Sequence, residues 1–202
     1  QKTAYEMLRS LVGSEMCIRD RNFTADLTIV EEGSELIRRI KNNGTLPMTT
    51  SCCPGWIKYL EEYYPELIPN VSTCKSPQQM MGAVVKTYYA EKAGIPKEKI
   101  FHVSVMPCTA KKYEADRPEI NASGVKDVDV VLTTRELGRM IKQAGIDFAN
   151  LQDSDYDLPL GEYSGAATIF GATGGVMEAA LRSAYDMVTG KTLTQLEFKP
   201  VS

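Results

Sequence analysis

The sequence has little of what most metal sites are built from, because it contains one histidine, His102, and five cysteines. The cysteines stand at positions 17, 52, 53, 74 and 108, not in the close pairs that usually bind structural zinc. A complete zinc site is therefore not expected. An odd number of scattered cysteines also argues against a disulfide framework and favours a reducing compartment.

Long apolar runs and blocks of basic residues are missing as well. No stretch is apolar over the length of a membrane span, and no run of Lys and Arg suggests nucleic acid. The formal net charge is −3 and the pI is about 5.4. We predict no membrane partner, no nucleic-acid partner and, without a recognisable signal peptide, a cytoplasmic location. With 202 residues, of which 43% are hydrophobic, the chain can bury one sizeable core in a single domain of two lobes.

Two segments place a cysteine where an extended stretch gives way to a helix. In residues 50–56 (TSCCPGW), Pro54 suits the first turn of a helix and Cys53 directly precedes it. In residues 106–111 (MPCTAK), Cys108 follows a strand-like stretch. A helix N-terminus favours the thiolate, which is the form of cysteine that binds metal. From the residues alone, metal binding competes with a more frequent alternative, in which a free cysteine is a small buried apolar residue.

Hydrophobic periodicity predicts strands that alternate with helices. We expect strands over residues 27–30, 100–105, 129–132 and 193–198, and helices over residues 33–41, 54–64, 76–92, 133–144 and 175–184. Capping boxes mark the starts at residues 76–79 and 133–136. The spacing of Trp56, Leu60, Tyr63 and Tyr64 predicts core packing. The pattern as a whole predicts an α/β fold with mixed or largely parallel sheets flanked by helices, whose sites gather at the carboxyl ends of strands.

Two acidic residues, Glu32 and Glu35, fall at the predicted start of the first helix. From the residues alone, they are interpreted as solvated side chains that complement the positive end of the helix. Residues 10–21 resemble a translated sequencing-adapter scar more than native protein, so residues 1–21 are excluded from the predicted fold and Cys17 is given no role.

The two cysteine segments resemble the first two signature motifs of the iron-only (FeFe) hydrogenases. The resemblance continues through residues 76–79 (SPQQ), 114–118 (EADRP), 161–165 (GEYSG) and 169–180 (IFGATGGVMEAA). It implies a two-lobed catalytic domain whose cofactor is the H-cluster, a 4Fe–4S cubane joined through a cysteine sulfur to a di-iron unit with CO, cyanide and azadithiolate ligands. The implied reaction is the reversible reduction of protons to dihydrogen.

The resemblance also implies a role for individual residues. Cys53 and Cys108 match two of the four cubane ligands, and Cys52 matches the thiol that exchanges protons with the di-iron unit. Glu32, Ser72 and Glu35 match the remainder of a proton relay, which reverses their interpretation as solvated acids. The residues that match the surroundings of the di-iron unit are Lys111, Met106, Pro107, Ser76, Gln78 and Phe170.

The family's third motif and its remaining cubane ligands have no counterpart in the sequence. We therefore expect residues 22–202 to form a partial H-cluster domain that is inactive in isolation. The implied partners are ferredoxin or another electron carrier and the hydrogenase maturation proteins; a hydrogenosomal or plastid location also stays open. The rival is a non-enzymatic relative, a prelamin-recognition-factor-like iron–sulfur assembly protein, which usually lacks a counterpart of Cys52.

Overall fold

A computed structural model describes residues 16–152, 160–161, 164–172 and 174–193, with side chains from residue 23 onward. The described helices are α1 (Met16–Lys41), α2 (Pro54–Tyr63), α3 (Pro77–Val84), α4 (Ala90–Ala93), α5 (Ala110–Ala115), α6 (Thr134–Gln143), α7 (Gly165–Phe170) and α8 (Gly175–Thr189). The strands are β1 (Val103–Met106) and β2 (Val130–Thr133). Three short 3-10 turns and one π-helical turn, Val85–Tyr89 between α3 and α4, complete the elements. None of the described helices is both long and apolar enough to cross a membrane.

The described residues fall into two compact units. The strand unit contains residues 77–152 and 160–161 together with the start of α1, and the helical unit contains residues 25–76 and 164–193. The helix α1 belongs to both. Each unit is described by itself below.

The strand unit is built on two parallel strands. β1 pairs with β2 in a register that places Val103 opposite Val130 and Met106 opposite Thr133. Side chains alternate along a strand, so Ser104 and Met106 share the buried face of β1. A small apolar core lies beside the strands, and its members are Met106, Ala115, Val128 and Val131. Parallel strands flanked by helices confirm the predicted α/β class.

Local signals in the sequence set several boundaries in this unit. Thr133 caps α6 with the predicted capping box, in which its side chain accepts from the N–H of Glu136 and the Glu136 carboxylate accepts from the N–H of Thr133. The single helix predicted over residues 76–92 is interrupted by the π-helical turn. Gly94 ends it as expected, with a φ of 64° that suits a residue without a Cβ.

The single histidine has a structural environment in the strand unit. The ring Nδ1 of His102 lies 3.1 Å from the carbonyl oxygen of Asp127, and the backbone N–H of His102 donates to Asp129 Oδ2 at 2.6 Å. Burial lowers the pKa of His102, and the nearby Lys86 ammonium lowers it further. The neutral imidazole is therefore favoured at neutral pH.

The helical unit packs α1 and α8 closely, because the Cα of Gly33 faces the backbone of Ala180 and Ala184. A Cβ at Gly175 would lie 1.8 Å from the carbonyl oxygen of Ile169, so the turn from α7 to α8 has room only for glycine there. The unit's buried apolar side chains are Ala25, Ile29, Leu60, Ala167, Ala179 and Ala184.

Two expectations for the helical unit are wrong. Residues 27–30 lie inside α1 and not in a strand, because Ala25 and Ile29 bury one face of a helix that continues to Lys41. Of the four residues predicted to pack in the core, only Leu60 is buried, whereas Trp56, Tyr63 and Tyr64 are 36%, 66% and 43% exposed. The aromatic rings pack on one another instead; the ring of Tyr59 lies 6.4 Å from that of Trp56 and 5.1 Å from that of Tyr63. The last predicted strand, residues 193–198, lies almost wholly outside the described residues.

Candidate metal and proton-transfer site

Cys53 lies at the start of α2, as the sequence predicted. It is the N-cap residue in extended conformation, its side chain makes no capping hydrogen bond, and Pro54 follows at the first helical position. The thiol is exposed, whereas the neighbouring Cys52 is half-buried. An exposed thiol that does not cap its helix is available to bind a metal.

Cys108 occupies the corresponding position in the strand unit. It follows the carboxyl end of β1 and precedes α5, and its thiol is exposed. Its carbonyl oxygen accepts a hydrogen bond from the N–H of Lys111. Within the described part of the chain, no three His, Cys, Asp or Glu side chains are grouped so that they could hold a metal ion by themselves. Each unit thus presents one exposed cysteine at a helix start.

Glu35 is buried on α1 and accepts hydrogen bonds at both carboxylate oxygens. Arg39 donates to Oε1 from Nε at 2.9 Å and from Nη2 at 2.6 Å. Oε2 accepts from the Ser72 hydroxyl at 3.1 Å and from the N–H and hydroxyl of Thr73, both at 3.0 Å. Burial raises the pKa of Glu35, but the hydrogen bonds and charge of Arg39 and Thr73 outweigh it, so the pKa lies below its usual value. Glu35 is therefore held as a carboxylate.

Glu32 lies three residues earlier on α1 in the opposite environment. It is 1% exposed, and neither carboxylate oxygen has a hydrogen-bond partner among the described residues. Burial raises its pKa, and the negative charge of Glu35 adds to the effect, while the Ser72 hydroxyl and the Ser51 N–H partly oppose it. The environment of Glu32 therefore favours the protonated acid more than water does, and more than the environment of Glu35 does.

Ser72 explains why Glu32 lacks a donor. A hydroxyl has one proton and two acceptor lone pairs. The proton of Ser72 points to Glu35, and one lone pair accepts from the N–H of Cys74 at 3.1 Å. The remaining lone pair can only accept, so Glu32 can bond to Ser72 when it carries a proton of its own. The three side chains therefore form an ordered polar series from Glu32 through Ser72 to Glu35.

Cys74 borders this series. Its thiol donates to Glu35 Oε2 at 3.6 Å, and its carbonyl oxygen accepts from the Ser51 hydroxyl at 2.5 Å. Burial raises the pKa of Cys74 to about 11, with the charges of Glu35 and Glu32 contributing. Cys74 is thus a protonated thiol, unsuited to bind metal at neutral pH.

Lys111 lies in a buried network of the strand unit. Its ammonium donates to Glu114 Oε1 at 2.8 Å, and the other oxygen of Glu114 accepts from Gln78 Nε2 at 3.0 Å. The structure therefore brings Lys111 and Gln78 together through Glu114. Glu114 is 2% exposed, so it is a buried partner of the ammonium.

The other predicted site residues lie at or next to the ends of β1, α3 and α7. Met106 is buried at the end of β1 and is followed by the exposed Pro107. Ser76 is 1% exposed next to the start of α3, and Phe170 is half-buried at the end of α7.

The sequence analysis missed Arg39, Thr73 and Ser104 as members of these networks. Arg39 lies four residues after Glu35, the spacing at which helical side chains of opposite charge meet. A helix over that segment therefore predicts the ion pair. Its guanidinium also donates to the carbonyl oxygens of Thr45, Pro69 and Val71, which ties α1 to the segments around residues 45 and 70. No local pattern marks Thr73 or Ser104.

Comparisons with known proteins agree with these motifs. The chain matches, over residues 2–202, the family described as iron only hydrogenase large subunit, C-terminal domain. It is 58% identical to iron hydrogenase 1 of Clostridium pasteurianum, covering 91% of the chain and 32% of that protein. It is 59% identical to the periplasmic Fe hydrogenase large subunit of Nitratidesulfovibrio vulgaris, covering 90% of the chain and 44% of that protein.

A solved structure gives the same result. The apo FeFe-hydrogenase of Chlamydomonas reinhardtii aligns with a TM-score of 0.76 and 51% identity, over 90% of this chain and 46% of that one. Proteins of the rival class are more distant; the cytosolic iron-sulfur assembly component 3 of Bos taurus is 32% identical. The chain thus spans between about a third and a half of the length of these hydrogenases. It belongs to the iron-only hydrogenase large-subunit family.

Proposed function

We propose that this chain is part of the catalytic domain of an iron-only hydrogenase, which reversibly reduces protons to dihydrogen at an H-cluster. The observation that carries the proposal is the buried series of Glu32, Ser72 and Glu35, in which one hydroxyl lies between a carboxyl group of raised pKa and a carboxyl group of lowered pKa. A protein that only held or transferred an iron–sulfur cluster would have no need of such a series. Family membership supplies the second support.

The cysteines fit the cofactor in donor type. Cys thiolates are the usual ligands of a 4Fe–4S cubane, and Cys53 and Cys108 are exposed thiols that lie directly before or within two residues of a helix start. We propose that these two residues hold the cubane. When bound, the cluster supplies the redox chemistry, and the chain supplies ligands, charge and protons. Two thiolates are half of the set that a cubane needs, so we expect the isolated chain to produce no hydrogen.

Proton movement is assigned to residues of the helical unit. Cys52 is the proposed proton-exchanging thiol, and its neighbour Ser51 directs its N–H towards Glu32. When Glu32 is protonated, it can pass its proton to the Ser72 oxygen while Ser72 passes its own proton to Glu35 Oε2. Proton transfer through an intervening hydroxyl needs no movement of heavy atoms beyond hydrogen-bond distance. Arg39 anchors the far end of this route.

Lys111 is proposed to face the cofactor's anionic ligands, where an ammonium is a suitable donor. The residues proposed to line the same pocket are Met106, Pro107, Ser76, Gln78 and Phe170. Ferredoxin or another iron–sulfur carrier is the proposed electron partner, and hydrogenase maturation proteins are the proposed source of the di-iron unit. We retain a cytoplasmic location as a prediction, although the relative from Nitratidesulfovibrio vulgaris is periplasmic by name.

A chimera tests the proposal. The segment of Clostridium pasteurianum iron hydrogenase 1 that matches this chain is replaced by the chain, and the protein is expressed anaerobically with maturation proteins. Hydrogen evolution is expected, and Glu32→Gln is expected to lower it by about 100-fold or more, as loss of a positioned proton-transfer group does. Glu178→Gln, a change of the same kind in a partly exposed pair of α8, is the matched control and should leave the rate unchanged.

Two outcomes would contradict the proposal. An active chimera that keeps its rate with both Cys52→Ala and Glu32→Gln would remove the proton route. A folded chimera that binds iron and sulfide but evolves no hydrogen would favour the iron–sulfur assembly class instead.

A further inference from the structure

A buried polar network in the strand unit extends one step beyond the residues assigned above. Its four members are Ser104 on β1, Gln78 on α3, and Lys111 and Glu114 on α5. None is more than 8% exposed. Buried polar groups are costly unless every one is satisfied, so their arrangement is constrained.

The side-chain amide of Gln78 is fully engaged within the protein. Its Nε2 donates to Glu114 Oε2 at 3.0 Å and to the carbonyl oxygen of Lys111 at 3.1 Å. Its Oε1 accepts from the Ser104 hydroxyl at 2.9 Å. Each of the two amide protons and the amide oxygen therefore has a protein partner.

The direction of these bonds matters for Lys111. With the amide turned over, its oxygen would face Glu114 and the Lys111 carbonyl, and three acceptors would meet without a proton. The Glu114 carboxylate and the Lys111 carbonyl only accept, so they select this amide orientation, and the Ser104 hydroxyl completes it by donating to Oε1. Glu114 then holds the Lys111 ammonium through Oε1 at 2.8 Å.

We propose that Ser104 and Gln78 are positioning residues for Lys111, acting through Glu114. The inference rests on the proposed function, in which the Lys111 ammonium faces anionic ligands and must be held in one place. It changes the role of Gln78, whose amide acts by orienting Glu114. It also gives a role to Ser104, which the strand places on the buried face of β1, two residues before Met106.

The test measures the reactivity of single lysines in the cofactor-free chain. The native protein is treated with N-hydroxysuccinimidyl acetate, and the rate of acetylation at each lysine is read by mass spectrometry. Ser104→Ala is expected to speed acetylation of Lys111 roughly fivefold to tenfold, which corresponds to the loss of about one buried hydrogen bond from the network. Ser104→Thr keeps the hydroxyl and should restore the original rate. Gln78→Met, which keeps the length of the side chain without its polar atoms, should act like Ser104→Ala.

Lys86 is the internal control. It is 3% exposed and is bonded to Asp129 and to the carbonyl oxygen of Lys126, both at 2.6 Å, in the same unit. These partners are not members of the network around Ser104, so the acetylation of Lys86 should not change. A parallel rise at both lysines would mean general loosening and would overturn the proposal, as would an unchanged rate at Lys111 in Ser104→Ala.

The outcome is independent of the chimera experiment. Lysine reactivity is measured without a cluster, so an inactive chimera leaves the positioning role standing. Conversely, an active chimera whose Lys111 does not respond to Ser104→Ala removes the positioning role and leaves the proposed function.

Discussion

The chain contains two Glu–Arg pairs of the same spacing in different environments, and they allow a matched test of burial. Glu35 and Arg39 on α1 meet at 2.6 Å with side chains 5% and 13% exposed, whereas Glu178 and Arg182 on α8 meet at 2.8 Å with both side chains 31% exposed. Removing one partner of a buried pair costs about 3–5 kcal/mol, and an exposed pair contributes about 0–1 kcal/mol. We expect Glu35→Gln to lie near the lower bound, about 3 kcal/mol, because the amide oxygen can still accept from Arg39.

The hydrogen bonds to the second carboxylate oxygen of Glu35 also predict a loss of stability in Glu35→Gln. Oε2 accepts from the Ser72 hydroxyl and from both the N–H and hydroxyl of Thr73. In Glu35→Gln, an amide nitrogen at the position of Oε2 would place its N–H groups against these donors. The single amide oxygen can accept either from Arg39 or from Ser72 and Thr73, but not from both sides. Glu178→Gln meets no such conflict, and we expect it to change stability by less than about 1 kcal/mol.

The measurement is the free energy of unfolding in urea at pH 7 for the native chain and both variants. Unchanged m-values would confirm that the variants alter stability and not the unfolded ensemble. Equal losses for Glu35→Gln and Glu178→Gln would refute the reasoning, because burial would then make no difference to the pair.

The pH dependence gives an independent check. The pKa of Glu35 lies below its usual value, so its ionised form stabilises the fold at pH values above the unfolded pKa. That stability is lost as the pH falls through the folded pKa. The difference between the native chain and Glu35→Gln should therefore shrink once the pH drops below about 4.3, the ordinary pKa of a glutamate.

Three further predictions use single side chains. Burial raises the pKa of Glu32, so the native chain loses stability as the pH rises through that pKa. The melting temperature of Glu32→Gln should therefore rise relative to that of the native chain between pH 4 and pH 8. A difference in melting temperature that stays constant over this range would contradict the prediction. Cys74 has a pKa of about 11 in place of 9.0, so at pH 8 it has about 100-fold less thiolate than an ordinary cysteine. The higher nucleophilicity of that thiolate partly offsets the loss, so iodoacetamide should modify Cys74 about tenfold more slowly in the native chain than in the urea-unfolded chain. Equal rates would contradict the shift. Gly82→Ala places a Cβ 2.6 Å from the carbonyl oxygen of Asp127 and should cost about 1–3 kcal/mol in urea unfolding, whereas Gly138→Ala on α6, with nothing within 4 Å, should stabilise by up to about 1 kcal/mol.

Local signals in the sequence predicted the elements that local chemistry determines. Pro54 starts α2, because it has no N–H that would need a partner there. Thr133 and Glu136 start α6 and Gly94 ends α4, because they satisfy backbone groups within a few residues. The parallel pairing of β1 with β2 follows from an intervening helix, α5, between two short strands.

The predicted strand at residues 27–30 is wrong for a physical reason. Thr28, Ile29 and Val30 are β-branched and favour strands locally, but their burial follows the helical period. Had the helix been extended through them, Thr28, Glu32, Glu35 and Arg39 would have formed one stripe at intervals of four, three and four residues. Three of the four are less than 5% exposed. The wrong period therefore also concealed the polar stripe that carries the candidate proton route.

The core packing predicted for the aromatic residues on and next to α2 is wrong for the opposite reason. Their helical spacing is real, but Trp56, Tyr63 and Tyr64 pack on Tyr59 at the surface, and Leu60 alone enters the core. Spacing identifies a face of a helix and does not identify what covers it. The roles of Cys52, Cys53 and Lys111 were predicted from the resemblance to the family. The residues alone do not identify such roles, since a cysteine at a helix start, for example, has several uses.

The contrast between Glu32 and Glu35 gives the proposed route a direction. Both are buried on one helix, so desolvation alone would raise the pKa of both. Donors decide the difference, because Arg39 and Thr73 bond to Glu35 and nothing described bonds to Glu32. A proton shared between the two is therefore held more tightly by Glu32 than by Glu35. When Glu32 is ionised, moving a proton from Glu35 through Ser72 to Glu32 runs downhill in free energy, and the reverse transfer runs uphill.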